Sequence, residues 1–167
     1  MMLKRIFLIL LLLFSTQVFA ISETQIKAVF LEKFTHLIEW PKKEHKKFTI
    51  CIINDKKFAN ALEDLYENKK FNNLNVDIKY LSSTNNIPKC QLLYIGKNTK
   101  NTKKIIKKLN DSPVLTVTDD KNFIDDEVMI TIFLKQKKFK YIINNKAAKE
   151  ADMKISYLLL KSAQEVK

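Results

Sequence analysis

The chain has 167 residues, 46% of them hydrophobic, and 30 Lys and Arg against 18 Asp and Glu, for a formal net charge of +12. That is enough chain and enough apolar side chain for one domain with a real core. A single glycine, Gly96, excludes the Walker loop, the dinucleotide fingerprint and the glycine-flanked nucleophile elbow, each of which needs glycine's backbone freedom at several positions.

Lys4 and Arg5 precede an unbroken apolar stretch, Ile6 to Phe14, and Val18-Phe19-Ala20 follows with small residues suited to cleavage. Residues 1–20 therefore read as a secretory signal peptide. The alternative, an uncleaved anchor, has an apolar core short of the ~20 residues a bilayer span needs. Cleavage takes two of the basic residues and no acid, leaving a net charge of about +10 on a single domain over residues 21–167. An exported chain with two cysteines favours a Cys51–Cys90 disulfide over two buried thiols that never meet.

Ser22 and Glu23 mark a helix start, and Ile26, Val29, Phe30, Phe34, Leu37 and Ile38 form its apolar stripe until Trp40-Pro41 stops it. Lys42 to Lys47 is a basic loop. Phe48 to Ile53 is a short apolar run rich in β-branched residues, which predicts a strand buried on both faces. A second helix follows from Lys56 to Asn68, with Phe58, Ala61, Leu62 and Leu65 inward. Leu74 to Leu81 alternates apolar with polar and predicts an edge strand with one wet face.

After a loop from Ser82 to Lys89, Cys90 to Ile95 is the next apolar strand. A basic helix over Thr99 to Leu109 follows, with Ile105, Ile106 and Leu109 inward, then a strand at Val114 to Thr118. Val128 to Leu134 and Phe139 to Ile143, separated by four polar residues, predict an antiparallel hairpin. A last helix is expected from Asn145 to Gln164, burying Ala148, Ala151, Ile155, Leu158, Leu159 and Ser162. The alternation of strand and helix predicts an α/β fold: a mostly parallel, flavodoxin/Rossmann-like sheet with helices on both faces, a C-terminal antiparallel hairpin and a closing helix.

Neither His36 nor His45 lies at metal-ligand spacing, and Asp119-Asp120 and Asp125-Asp126-Glu127 lack the spaced ligands and glycine of a calcium loop; they read as solvated turn acids. No catalytic residue, metal or cofactor is expected, and the chain is read as a non-enzyme. Cys51 and Cys90 are too far apart for the Cys-x-x-Cys arrangement of a thiol oxidoreductase. The lysines are spread over three loops and a helix face rather than concentrated in the stripe with interleaved aromatics that nucleic acid prefers, which argues against such a partner. They are solvated, or attract acidic partners or an anionic membrane surface.

Several segments in order resemble the YfiR family of small periplasmic proteins. They are Ala28-Val29-Phe30-Leu31 with Phe34 and Glu39-Trp40-Pro41; the Cys51 strand; Cys90-Gln91-Leu92-Leu93-Tyr94-Ile95; Val114 to Asp119 with Phe123; Met129-Ile130; Tyr141-Ile142-Ile143-Asn144 with Ala147-Ala148; and Ile155-Ser156 with Leu158-Leu159. The resemblance implies a periplasmic, non-enzymatic regulator that binds and represses the sensory ectodomain of an inner-membrane diguanylate cyclase, lowering cyclic di-GMP. It implies a homodimer, release through an outer-membrane lipoprotein or redox stress, and Cys51 with Cys90 as the core cysteine pair. Trp40, Pro41, Asn144 and Ser156 are the positions it offers for partner or ligand binding. Where relatives carry a glycine after the first strand this chain has Asn54, which tolerates a left-handed turn. The rival reading is a periplasmic small-ligand sensor with an apolar pocket beside the last helix, acting with another membrane receptor.

Overall fold

The computed structural model describes residues 21–41, 45–82, 87, 90–109, 112–124 and 128–167. The expected signal segment, the acids Asp125, Asp126 and Glu127, and parts of the loops 42–47 and 82–89 lie outside the described residues.

The first helix, α1 (Glu23–His36), starts in a capping box, with the Gln25 N–H donating to Ser22 Oγ at 3.2 Å and the Ser22 N–H to Gln25 Oε1 at 2.8 Å. It ends before Trp40-Pro41, because the Leu37 N–H bonds back to Lys33 and Phe34 and the chain leaves as a short strand, β1 (Ile38–Glu39). Its inward face also differs from the expected stripe. Val29 is 39% exposed, while Lys27, Ala28, Leu31, Phe34 and Thr35 are buried.

The central strand is β2 (Lys47–Ile53), buried from Phe48 onward and flanked in parallel by β4 (Leu74–Leu81) and β5 (Leu92–Ile95). Asn54 ends it in the left-handed region (φ 59), and Asp55 caps α2 (Lys56–Tyr66) by accepting the Phe58 N–H at 3.0 Å. A two-residue turn of left-handed asparagines, Asn72 and Asn73, joins β3 (Lys70–Phe71) to β4, so the edge strand is itself covered at Leu74 and Asn75. The basic helix is shorter than expected, α3 (Thr102–Lys107), because Asn101 stands at φ 61 just before it.

Beyond β6 (Leu115–Thr118) and a 3₁₀ turn at Lys121–Phe123, the hairpin pairs β7 (Ile130–Lys135) with β8 (Lys138–Ile143). Only Gln136 and Lys137 turn between them; two of the four expected loop residues belong to the strands.

The closing helix is corrected. Residues 145–166 form α4 (Asn145–Glu150), β9 (Lys154–Ile155), α5 (Tyr157–Ser162) and β10 (Glu165–Val166). A Schellman motif breaks the helix: Asp152 is left-handed (φ 56), its N–H bonds to Lys149 O, and the Met153 N–H reaches Ala148 O at 2.9 Å. Burying Met153 beside Ala148 offsets the lost helical turn. Downstream, Leu158 is 66% exposed rather than inward, and Ser162 is exposed too.

The main sheet has the order β10-β8-β7-β6-β5-β2-β4-β3, and β1 pairs antiparallel with β9 in a separate ladder. Taken in chain order, the parallel strands β2, β4, β5, β6 and β7 stand as 2-1-3-4-5, a flavodoxin-like winding. Period-two alternation sorts β2 and β5 onto two faces. Ile50, Ile52, Leu92 and Tyr94 pack with α1 and α2, whereas Cys51, Ile53, Leu93 and Ile95 pack with Ile105 and Ile106 of α3. No helix among the described residues is long and apolar enough to cross a membrane.

Candidate functional site

In an open parallel sheet, ligands bind outside the carboxyl ends of the strands where the winding reverses. Here that point lies between β2 and β5, and the chain closes it between those two strands, while a cavity of about 360 Å³ lined by Ile53, Asn54, Tyr80, Leu81, Asn98 and Thr99 opens beside it. Gly96 donates its N–H to Ile53 O at 2.8 Å, and a Cβ on Gly96 would lie 2.8 Å from that oxygen and 2.9 Å from Asn54 O. Asn54 Nδ2 adds a bond to Lys97 O at 3.0 Å. Only glycine permits this approach of two backbones, which explains why the one glycine is here.

Beside the closed crevice stands a buried ammonium group. Lys27 Nζ donates to Asp119 Oδ2 at 2.7 Å, to Tyr94 Oη at 2.8 Å and to Asp55 Oδ2 at 3.2 Å, and lies 5.0 Å and 5.2 Å from the ring centres of Phe58 and Tyr94. An ammonium has three protons, and all three are used. Burial, and then the neighbouring Asp119 and Asp55 carboxylates, push the Tyr94 phenol well above its ordinary pKa, so Tyr94 stays neutral. Asp119 Oδ1 also accepts the Lys97 N–H at 2.8 Å, and Asp120, 5% exposed, accepts the Asn122 N–H at 3.0 Å. Asp120 is thus a buried cap and Asp119 a partly buried ion-pair partner, not the solvated turn residues expected. No fully buried side-chain donor or acceptor among the described residues lacks a partner, and the cluster locks α1 onto the ends of β2, β5 and β6. No cluster of three potential metal ligands occurs among the described residues.

The positions singled out in the sequence lie mostly toward the other end of the strands. Trp40 is half-buried: its Nε1 donates to Thr35 O at 3.0 Å and its ring stands edge-on to Phe48 at 5.0 Å. Trp40 and Pro41 border a cleft of about 130 Å³ that Phe48, Phe71, His45 and Gln91 complete. Ser156 caps α5 by accepting the Leu159 N–H at 3.3 Å, and its own N–H bonds to Leu37 O at 2.9 Å. The β1–β9 ladder therefore carries Trp40 at one end and Ser156 at the other. Asn144 stands apart from them and caps α4 through the Ala147 N–H at 2.9 Å. Cys51 and Cys90 are joined in a disulfide with a Cα–Cα distance of 6.0 Å, and both are buried.

Sequence reasoning missed Lys27, whose partners are 28, 67 and 92 residues away. It also missed Tyr157 and Leu158, 72% and 66% exposed at the start of α5. A helical period assumed to run unbroken had pointed Leu158 inward; the cap signal Ser156 was the clue that a new helix starts there.

Comparison with solved structures finds the same fold at low identity. An ABC domain from Streptococcus pneumoniae, described in complex with L-Trp, aligns with a TM-score of 0.59 at 14% identity over 86% of this chain. A conserved domain protein from Vibrio cholerae aligns at 0.58 and 8% identity over 87%. The chain spans 60% of the length of each. No curated protein matches it. The YfiR/HmsC-like family model matches residues 24–164, from the first turn of α1 to the end of α5, and so takes in the Lys27 lock, the disulfide and the β1–β9 ladder. On that match the chain belongs to the YfiR/HmsC-like family.

Proposed function

We propose that this protein is an exported, one-domain, non-enzymatic regulator, made with a cleaved signal peptide over residues 1–20, that occupies the sensory ectodomain of an inner-membrane diguanylate cyclase and holds cyclic di-GMP synthesis down. The observation that carries the reading is the family match over residues 24–164. The disulfide fits an oxidising compartment. The satisfied Lys27 cluster and the closed crevice leave the carboxyl ends of the strands without an evident catalytic group, which suits a protein that works by occupancy.

The partner surface we favour runs from Trp40 and Pro41 along the β1–β9 ladder to Ser156, Tyr157 and Leu158. Exposed aromatic and aliphatic side chains beside a rigid ladder are the anchors that interfaces use, and the mature chain has no arginine to serve instead. Asn144 contributes by holding α4, not by contact. A homodimer and an outer-membrane lipoprotein that relieves repression belong to the same proposal.

The test is a pull-down from membranes of the native host together with cyclic di-GMP measured in a strain lacking the gene. Recovery of a cyclase and a rise in cyclic di-GMP are expected; an unchanged level with no cyclase recovered would end the reading. The small-ligand sensor is the second reading. The likeness in fold to a domain described with L-Trp favours it. Against it, the cleft at Trp40, about 130 Å³, is below the 300–1,000 Å³ usual for ligand pockets. The described cavities that reach that range, about 360 Å³ beside Asn54 and about 400 Å³ beside Lys27, are lined mostly by polar and charged residues rather than the apolar walls such pockets have. A thermal shift with free tryptophan that vanishes in Trp40→Ala would favour it over protein docking.

A further inference from the structure

The β7–β8 hairpin breaks two rules that the rest of the chain obeys. Lys135 pairs directly with Lys138 across the ladder, and like charges in that position destabilise a hairpin. The turn residues Gln136 and Lys137 are both left-handed (φ 51 and 60), where the other described left-handed positions are asparagines, as in the Asn72-Asn73 turn, or the aspartate Asp152. Four of the seven residues from Leu134 to Lys140 are lysine.

Around the tip the charge is extended, and among the described residues no ion pair offsets it. Lys140 stands opposite Phe133, and Lys121 lies 5.0 Å from the Phe133 ring centre. None of Lys121, Lys135, Lys137, Lys138 and Lys140 forms an ion pair among the described residues. Of the described acids lining the cleft at Phe133 and Leu134, Asp119 and Asp120 are taken by Lys27 and by backbone N–H groups, and Glu23 forms no ion pair with these lysines. Amid these lysines Leu134 is 43% exposed. The start of α1 faces the same cleft as Phe133 and Leu134 through Glu23, so Ile21, 71% exposed, belongs to this end of the molecule.

We propose that this hairpin tip docks on an anionic membrane surface, its lysines among phospholipid headgroups and Leu134 entering the interface. Lysine stems bury along apolar surface while their ammonium groups stay at the headgroups, so a projecting tip of lysines around one leucine suits a lipid interface. A protein partner would call for a concave acidic surface and a large anchor, and the tip offers neither an arginine nor a tryptophan. The repulsion between Lys135 and Lys138 is relieved when headgroup phosphates lie against it. The inference is independent of which receptor the protein regulates, and it would place the hairpin end against the bilayer.

The test is flotation of the periplasm-purified protein with vesicles of phosphatidylcholine alone or with about 30% phosphatidylglycerol, at about 50 mM and about 500 mM salt. Binding is expected only to the anionic vesicles and only at low salt. Lys135→Glu combined with Lys138→Glu is expected to weaken it about 25-fold, near five-fold for each lysine. The control, Lys146→Glu with Lys149→Glu on α4 beyond the other end of β8, carries the same change in net charge and is expected to keep binding. Lys135→Glu alone turns a like-charge pair into an attractive one, so it should melt no earlier than the unaltered protein yet bind vesicles about five-fold less. Equal losses in the tip and control variants, a Lys135→Glu protein that binds as before, or no binding to anionic vesicles would each overturn the proposal.

Discussion

At the scale of single residues, Lys27 matters most to this fold. A buried cation is costly unless its geometry is complete, and here each proton has an acceptor. Lys27→Met should lower stability by about 3 kcal/mol in urea unfolding, because Asp119 and Asp55 lose their counter-charge while staying largely covered. Tyr94 sets a pH limit. Its phenol ionises near 10.0 in the unfolded chain and above that in the fold, raised by burial and then by Asp119 and Asp55. Its contribution is therefore fully present below pH 10.0 and is lost as pH rises further, since only the unfolded chain releases the proton. Stability should fall by up to about 1.4 kcal/mol per pH unit between about pH 10 and pH 12, and Tyr94→Phe should make the fall shallower. Tyr66, also raised chiefly by burial, leaves a residual slope. None of this was legible beforehand, since a lysine between Ile26 and Ala28 looks like any polar residue on a helix.

At the scale of elements, the strands and the starts of the first two helices were readable, and the points where helices stop were not. Phe48 to Ile53 and Leu74 to Leu81 were predicted within a residue because their apolar patterns are bounded by polar neighbours. The last helix was misread because Ala148, Ala151, Ile155 and Leu159 keep a helical period through a segment that turns at Asp152. No glycine or proline marks that turn; an aspartate with a left-handed backbone does the work of one. Asp152→Gly should accordingly stabilise the protein by roughly 0.5 kcal/mol in thermal unfolding, whereas a position inside a continuous helix would lose about 1 kcal/mol.

At the scale of the whole molecule, the disulfide ties the central strand to the chain entering its neighbour across 39 residues. Cys51→Ser should cost about 4 kcal/mol in the chain-entropy estimate, on the order of 10 °C in melting temperature. Reduction should do the same, and slowly, because both sulfurs are buried. If oxidised and reduced protein melted together, the bond would not be a staple. The two ends of the sheet divide the proposed roles: the Trp40 to Leu158 ladder for a protein partner, the lysine hairpin for a membrane surface.

By itself the amino-acid order determined the α/β class, the buried parallel strands, the cysteine pair and the family, because these rest on local period and on residue types that hold their meaning anywhere in a chain. Tertiary structure alone decided that the crevice at Gly96 is shut, that Lys27 is buried, and that Leu158 faces outward. The first two depend on backbone atoms or charges dozens of residues apart, which no local pattern encodes; the third follows from the turn at Asp152, which no glycine or proline marks.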